Sequence, residues 1–249
     1  MMGELRYEWV RITTVRSTWA LIGFAMLVPA GLALFVSWLV GNLGSEAGGP
    51  PDGEGGGLSG FLVISAATLC AIGAAAFGQE YRHGLIRITL AIFPRRTPVF
   101  IAKTLMVALF MVVAAILSIA TIVLAQALGG VIAGTGAEWD ESAWGASGVR
   151  AVLYVVIFVL IALALTALTR NQPLGIIAPI VLAVLIEPII STIAFVQGWT
   201  WIDWVLPFSG GAAAISTAGA EAWGHLAVFG AWFLILAIPA WILFVRRDA

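Results

Sequence analysis

Six apolar runs, each about 20 residues or longer, constrain this chain more than any other feature. They fall at about 19–41, 59–78, 104–128, 149–168, 174–197 and 225–245. At 1.5 Å rise per residue, a helix of about 20 residues crosses a hydrocarbon core roughly 30 Å thick. An open strand or loop in lipid would leave backbone N–H and C=O groups unpaired, so only helices suit such runs. The chain is therefore expected to be an all-α integral membrane protein, a single domain over residues 1–249 with six transmembrane helices. Composition agrees, since 61% of residues are apolar and 10% charged, against about 45–50% and about 25% in soluble domains. A nucleic-acid partner has no support. The single cysteine, Cys70, permits no intrachain disulfide, and with only His83 and His225 beside it a zinc site is excluded.

The net charge of -1 conceals an asymmetry that orients the runs. The stretch from Gln79 to Lys103 holds Arg82, Arg87, Arg95, Arg96 and Lys103 between two spans. Cationic loops stay on the cytoplasmic side. Arg6, Arg11 and Arg16 precede the first span, Arg170 separates the fourth from the fifth, and Arg246-Arg247 follow the last. Only Arg150 falls on the other side, so both termini are expected in the cytoplasm. The loops at 42–58 and 129–148 carry Glu46, Asp52 and Glu54, then Glu138, Asp140 and Glu141, with no cation. They read as solvated external loops, because the acidic spacing fits no calcium loop. The first run is too long for a cleavable leader and lacks a small-residue exit, which favours a retained signal anchor.

Residues 1–18 read as an amphipathic helix lying on the membrane surface, with Leu5, Trp9 and Ile12 on one stripe and Trp9 and Trp19 at headgroup depth. Pro29 should kink the first span. The second span is rich in Ala and Gly, which suits close packing inside the bundle or against a second protomer. Thr169 to Pro173 is so short a connection that spans four and five must form an antiparallel hairpin. Between 198 and 224, Trp199, Trp201 and Trp204 predict one or two short helices at the outer leaflet.

Within the basic loop, Leu85, Ile88 and Ile92 recur at i, i+3 and i+7 and predict a short helix over 82–93. Pro94 should close it, and Pro98 should repeat the break. Such a loop either only sets topology or docks on a partner. Its residues resemble a known family. Glu80, Gly84, Thr89-Leu90, Pro94-Arg95-Arg96 and Lys103 resemble the cytoplasmic signature of the ABC type-2 permeases, with Gly84-Leu85 where members usually have Gly-Thr. The run Arg11 to Trp19 is similar to the start of many actinobacterial members. The resemblance implies a bacterial plasma-membrane permease whose loop forms a coupling helix in a groove of a separate ABC ATPase subunit. It assigns Glu80, Arg82, Gly84, Leu85, Ile88 and Ile92 to that coupling. It also implies an N-terminal elbow helix, a second permease protomer, contact with membrane lipids, and export of a drug, peptide antibiotic, lipid or similar amphiphile.

The chain contains no G-x-x-x-x-G-K-[ST], no H-E-x-x-H and no G-x-S-x-G. It is expected to be no enzyme and to hold no cofactor of its own, with ATP and Mg on the partner subunit. One charged residue sits deep in an apolar run: Glu187, followed by Pro188. A carboxylate there costs about 2.5–3.5 kcal/mol on insertion scales. It either lines a cavity that meets a polar or cationic substrate, or makes a structural hydrogen bond to a neighbouring helix. The rival functions are a non-transporting scaffold or sensory subunit, and a secondary transporter, for which one buried carboxylate supplies little ion coupling.

Overall fold

The structure, a computed structural model, describes residues 2–43, 56–93, 95–136, 145–199 and 201–246. Pro94 as a helix terminator, the acidic loop residues Glu46, Asp52, Glu54, Glu138, Asp140 and Glu141, and Arg247 lie outside the described residues. In chain order the helices are α1 (Met2–Thr14), α2 (Arg16–Leu43), α3 (Gly56–Arg82), α4 (Ile86–Ile92), α5 (Arg96–Ala133) and α6 (Ala146–Thr169). There follow α7 (Gln172–Val181), a π-helical stretch (Leu182–Ile186), α8 (Glu187–Gln197), α9 (Ile202–Val205), α10 (Pro207–Ser216) and α11 (Gly219–Arg246). Among the described residues there is no strand. Among the described residues, six helical segments are long and apolar enough to cross a membrane: α2, α3, α5, α6, α7 continued through α8, and α11.

The centre of the bundle is α6, which packs on α3, α5, α7, α10 and α11, while α2 lies against α3 and α5. Tyr154, Phe158 and Leu163 of α6 have no exposed surface. The small-residue face of α3 turns inward against α6. A Cβ at Gly73 would stand 2.5 Å from the carbonyl oxygen of Val159, so the two backbones meet where no side chain fits. The α6–α7 connection is the expected hairpin. Arg170 adopts φ 55° and ends α6 in the left-handed conformation. Asn171 then caps α7 by accepting the N–H of Leu174 at 3.2 Å, and Pro173 occupies the first turn, where a missing N–H costs nothing.

Several helix ends depart from the sequence reading. The amphipathic helix stops at Thr14 rather than 18, and α2 begins at Arg16, so Trp19 lies in the first turn of α2 rather than at the start of it. Its indole N–H donates to the Thr13 carbonyl at 2.9 Å and bridges the break. The buried face of α1 is Leu5, Glu8 and Ile12: Glu8 is 2% exposed and Trp9 48%. The stripe expected from sequence, Leu5, Trp9 and Ile12, is therefore split: Leu5 and Ile12 face the bundle beside Glu8, whose ion partners lie there, and Trp9 does not. Pro98 does not break the third span. It lies in the first turn of α5, where the N–H groups have no intrahelical acceptor, and the helix extends over 38 residues from Arg96. The sixth span likewise starts at Gly219, which places His225 inside it, with its ring stacked on Trp204 at 3.9 Å.

The fifth span is not a uniform α-helix. Pro188 has no N–H to give and its ring crowds the carbonyl four residues earlier, and the turn widens to π over Leu182–Ile186 just before it. Two short helices follow, as the tryptophans suggested, but α10 enters the bundle: Phe208, Gly210, Gly211, Ala214 and Ile215 are buried. Its glycines allow this, since a Cβ at Gly211 would meet the rings of Phe229 and Tyr154 at 2.8 and 3.0 Å.

Candidate functional site

The up-and-down order of the spans gathers Arg6, Arg11, Arg16, Arg82, Arg87, Arg95, Arg96, Lys103, Arg170 and Arg246 at one end of the bundle. Among the described basic residues, only Arg150 lies at the other end, buried with its guanidinium 6.0 Å from the ring centre of Trp223. At the basic end, α3 runs on to Arg82 and the chain turns at Gly84, whose φ is 67°. That conformation favours glycine and sets the direction in which α4 leaves. The helix is shorter than the expected 82–93. Its inner face, Ile86 and Thr89, is buried against the bundle. Its outer face presents Leu85, Ile88 and Ile92, exposed by 43, 59 and 65%, with Arg82, Arg87 and Arg95 also exposed around them. Three aliphatic side chains in a ring of guanidinium groups form an apolar platform with a positive rim.

Beneath α4 lies a cluster of four charged side chains that the sequence reading did not bring together. Lys103, the single lysine of the chain, has no exposed surface. Its ammonium donates to Glu8 Oε1 at 2.6 Å, to Glu80 Oε1 at 2.5 Å and to the Ala76 carbonyl at 3.3 Å. All three of its N–H groups are thereby used. Arg11 reaches Glu8 Oε2 at 2.8 Å, the Ala76 carbonyl at 2.9 Å and Glu80 Oε1 at 3.4 Å. Two carboxylates and two cations sum to zero net charge, which permits the set to sit out of water. Glu80, grouped by resemblance with the ATPase contacts, is 1% exposed and faces this cluster rather than the surface. Glu8, Arg11 and Lys103 were not singled out as a site. The legible signal was a glutamate just after one apolar run and a lysine just before the next, close enough to the membrane to need a partner.

Aromatic rings brace the same region. Phe77 of α3, Phe100 of α5 and Phe244 of α11 form a triangle with centroid distances of 5.4 to 5.9 Å. The Lys103 ammonium stands 5.5 Å from the Phe77 ring centre, and the Arg170 guanidinium lies 5.3 Å from that of Tyr81. Arg96 donates to the carbonyls of Phe244 and Val245, both at 3.4 Å, tying the start of α5 to the end of α11. Phe93, just past α4, packs on Tyr7 of α1 with ring centres 6.5 Å apart.

Glu187 lies at the opposite end. It is 2% exposed and accepts the backbone N–H groups of Phe208 at 3.3 Å and Ser209 at 2.6 Å. These are the first-turn donors of α10, which lack intrahelical partners, and a carboxylate there meets the positive end of the helix dipole. Its two hydrogen bonds join α8 to the start of α10.

A six-span helical bundle with a short amphipathic helix between its second and third spans defines a multi-pass membrane protein. Residues 5–187 match the family described as ABC-2 family transporter protein, and the chain belongs to that family. The match includes most of α1, all of α4 and the whole ion cluster, and it ends on Glu187. Members are membrane subunits of ABC transporters, generally non-catalytic and working with a separate ATPase. No curated protein matches the chain.

Proposed function

We propose that this chain is the permease subunit of an ABC exporter. Separate ATPase subunits carrying ATP and Mg dock on α4, and a second, identical permease protomer completes a cavity through which a drug, peptide antibiotic, lipid or similar amphiphile leaves the cell. The observation that carries the reading is the outer face of α4. Leu85, Ile88 and Ile92 stand exposed at the basic end, where no lipid tail would cover them if that end faces the cytoplasm. In this orientation both termini are cytoplasmic. Closure of the ATPase pair presses on α4, tilts the bundles and opens the cavity outward, a rigid-body transition of a common kind. The wide apolar faces of α2, α7 and α8, among them an open groove lined by Leu174, Ile177, Val181, Leu182 and Ile186, are left for lipid and for the second protomer to cover. The hydrogen bonds of Glu187 favour a part in holding α10 over a part in binding substrate.

The test is Ile88→Asp, which places a charge in the middle of the docking platform and leaves the inner face of α4 intact. The variant should insert in the membrane at native levels and lose its ATPase on co-purification. Unchanged co-purification would mean that the loop serves topology alone.

A further inference from the structure

Joints without side-chain bracing flank α4. On one side is Gly84, with φ 67° and open space where a Cβ would be; on the other, an extended residue, Arg95, leads into α5. A push on α4 would be absorbed by bending at these joints were it not for the buried inner face of the helix, Ile86 and Thr89, and for Phe93, which packs on Tyr7 of α1. The buried cluster in turn ties α1 to α3 and α5. Glu80 lies in the last turn of α3, before α4, and Lys103 lies two turns into α5, after it, so their contact closes the base of the α3–α4–α5 loop. Glu8 and Arg11 add α1 to the same joint.

We propose that Glu80 and Lys103, braced by Glu8 and Arg11, are positioning residues that make α4, α1 and the adjoining ends of α3 and α5 move as one body, so that force on α4 reaches spans two and three. The inference rests on the reading of α4 as the ATPase-docking helix and adds the element that transmits its motion.

The choice of ions over apolar side chains supports it. Buried ion pairs add little stability compared with well-packed apolar groups of the same volume, and this set is not even fully satisfied, since Glu80 Oε2 and Glu8 Oε2 are both buried without a hydrogen bond, Glu8 Oε2 meeting Arg11 only as an ion pair. Directional bonds do what apolar packing does poorly: they hold three helices in one register. Lys103 has one ammonium on three acceptors from two other helices, and Glu8 spans Lys103 and Arg11 with its two oxygens. Sliding α3 past α5 by a fraction of a turn would break several charged bonds together.

The test uses the whole chain assembled with its ATPase. Glu80→Gln combined with Lys103→Met removes one charge of each sign, keeps the cluster neutral and leaves the Glu8–Arg11 pair and the face of α4 unchanged. Spin labels on Ala91→Cys in α4 and Leu105→Cys in α5, with buried Cys70 left in place, report whether the two helices move together. The thiol reactivity of Ala220→Cys, at the far end, reports the response of the bundle. With the native cluster the 91–105 distance should stay narrow and unchanged on adding Mg-ATP with vanadate, while Ala220→Cys reactivity changes. In the double variant the ATPase should remain bound, the 91–105 distance should follow nucleotide, and the nucleotide-dependent reactivity at 220 should fall roughly 2- to 30-fold, the range over which residues on a coupling path commonly act. Retention of the native response in either readout overturns the proposal. Should the double variant fail to accumulate, Glu80→Gln alone, which keeps an acceptor for Lys103, is read in the same two ways against the same criterion. Failure of the native chain to bind the ATPase would instead remove the docking reading, a different result from a bound complex that responds normally without the staple.

Discussion

Replacing Glu187 by Ala should loosen the end of the bundle opposite α4, and the geometry sets the size of the effect. The carboxylate accepts two backbone N–H groups, from Phe208 and Ser209. Phe208 is buried and Ser209 partly so, and neither N–H has an acceptor within the first turn of α10. A hydrogen bond to a charged group contributes about 1.5–3 kcal/mol, and an orphaned buried donor costs about 1–3 kcal/mol. Water reaching Ser209 offsets part of this, which leaves a loss of about 3 kcal/mol for Glu187→Ala. At roughly 2–4 °C per kcal/mol for a chain of this size, the melting temperature should drop by about 6–12 °C. Glu187→Gln keeps one carbonyl oxygen toward the same donors and loses the charge, so its loss should be about 1 kcal/mol. Thermal unfolding of the purified variants in detergent, followed by the fluorescence of neighbouring Trp199, Trp201 and Trp204, measures both. An Ala variant as stable as the native protein would refute the capping argument, and a Gln variant as unstable as Ala would show that charge rather than hydrogen bonding matters. If the Gln variant is stable but its reconstituted complex loses substrate-stimulated ATP hydrolysis, Glu187 belongs to the substrate path.

The other predictions concern topology and packing. Cysteines at Asp52, Glu138 and Ala220 should react with an impermeant thiol reagent in intact cells while one at Arg95 does not, and labelling of the Arg95 variant would invert the proposed orientation. Gly73→Ala should cost about 1–3 kcal/mol, because its Cβ would meet the Val159 carbonyl oxygen at 2.5 Å and neither backbone can yield cheaply. Gly230→Ala in α11, with nothing within 4 Å of its Cβ, should instead be neutral or stabilise by about 0.5–1 kcal/mol. Equal melting temperatures for the two alanine variants would contradict the close approach of α3 to α6.

The spans, their number and the α6–α7 hairpin were legible because each follows from a local rule. Apolar length fixes a span, and Arg170-Asn171-Gln-Pro173 carries the cap and first-turn proline of the next helix in plain view. The stripe of Leu85, Ile88 and Ile92 was legible for the same reason, since i, i+3 and i+7 share a helix face wherever the helix goes. The ion cluster was not, because its members come from residues 8, 11, 80 and 103, and periodicity says nothing about which helices meet. Glu8 illustrates the point: it looks like a polar-face residue of α1 until α3 and α5 supply its cations.

The sequence by itself determined that this chain crosses a membrane six times and carries an amphipathic helix in its basic loop, since bilayer thickness and helix geometry act on each segment alone. Only the tertiary structure decided that Glu80 meets Lys103 inside the bundle, that α10 enters the bundle, and that Glu187 accepts from its first turn. A buried charge or an uncapped helix end must find a complement, and which group supplies it depends on how the helices are placed around it.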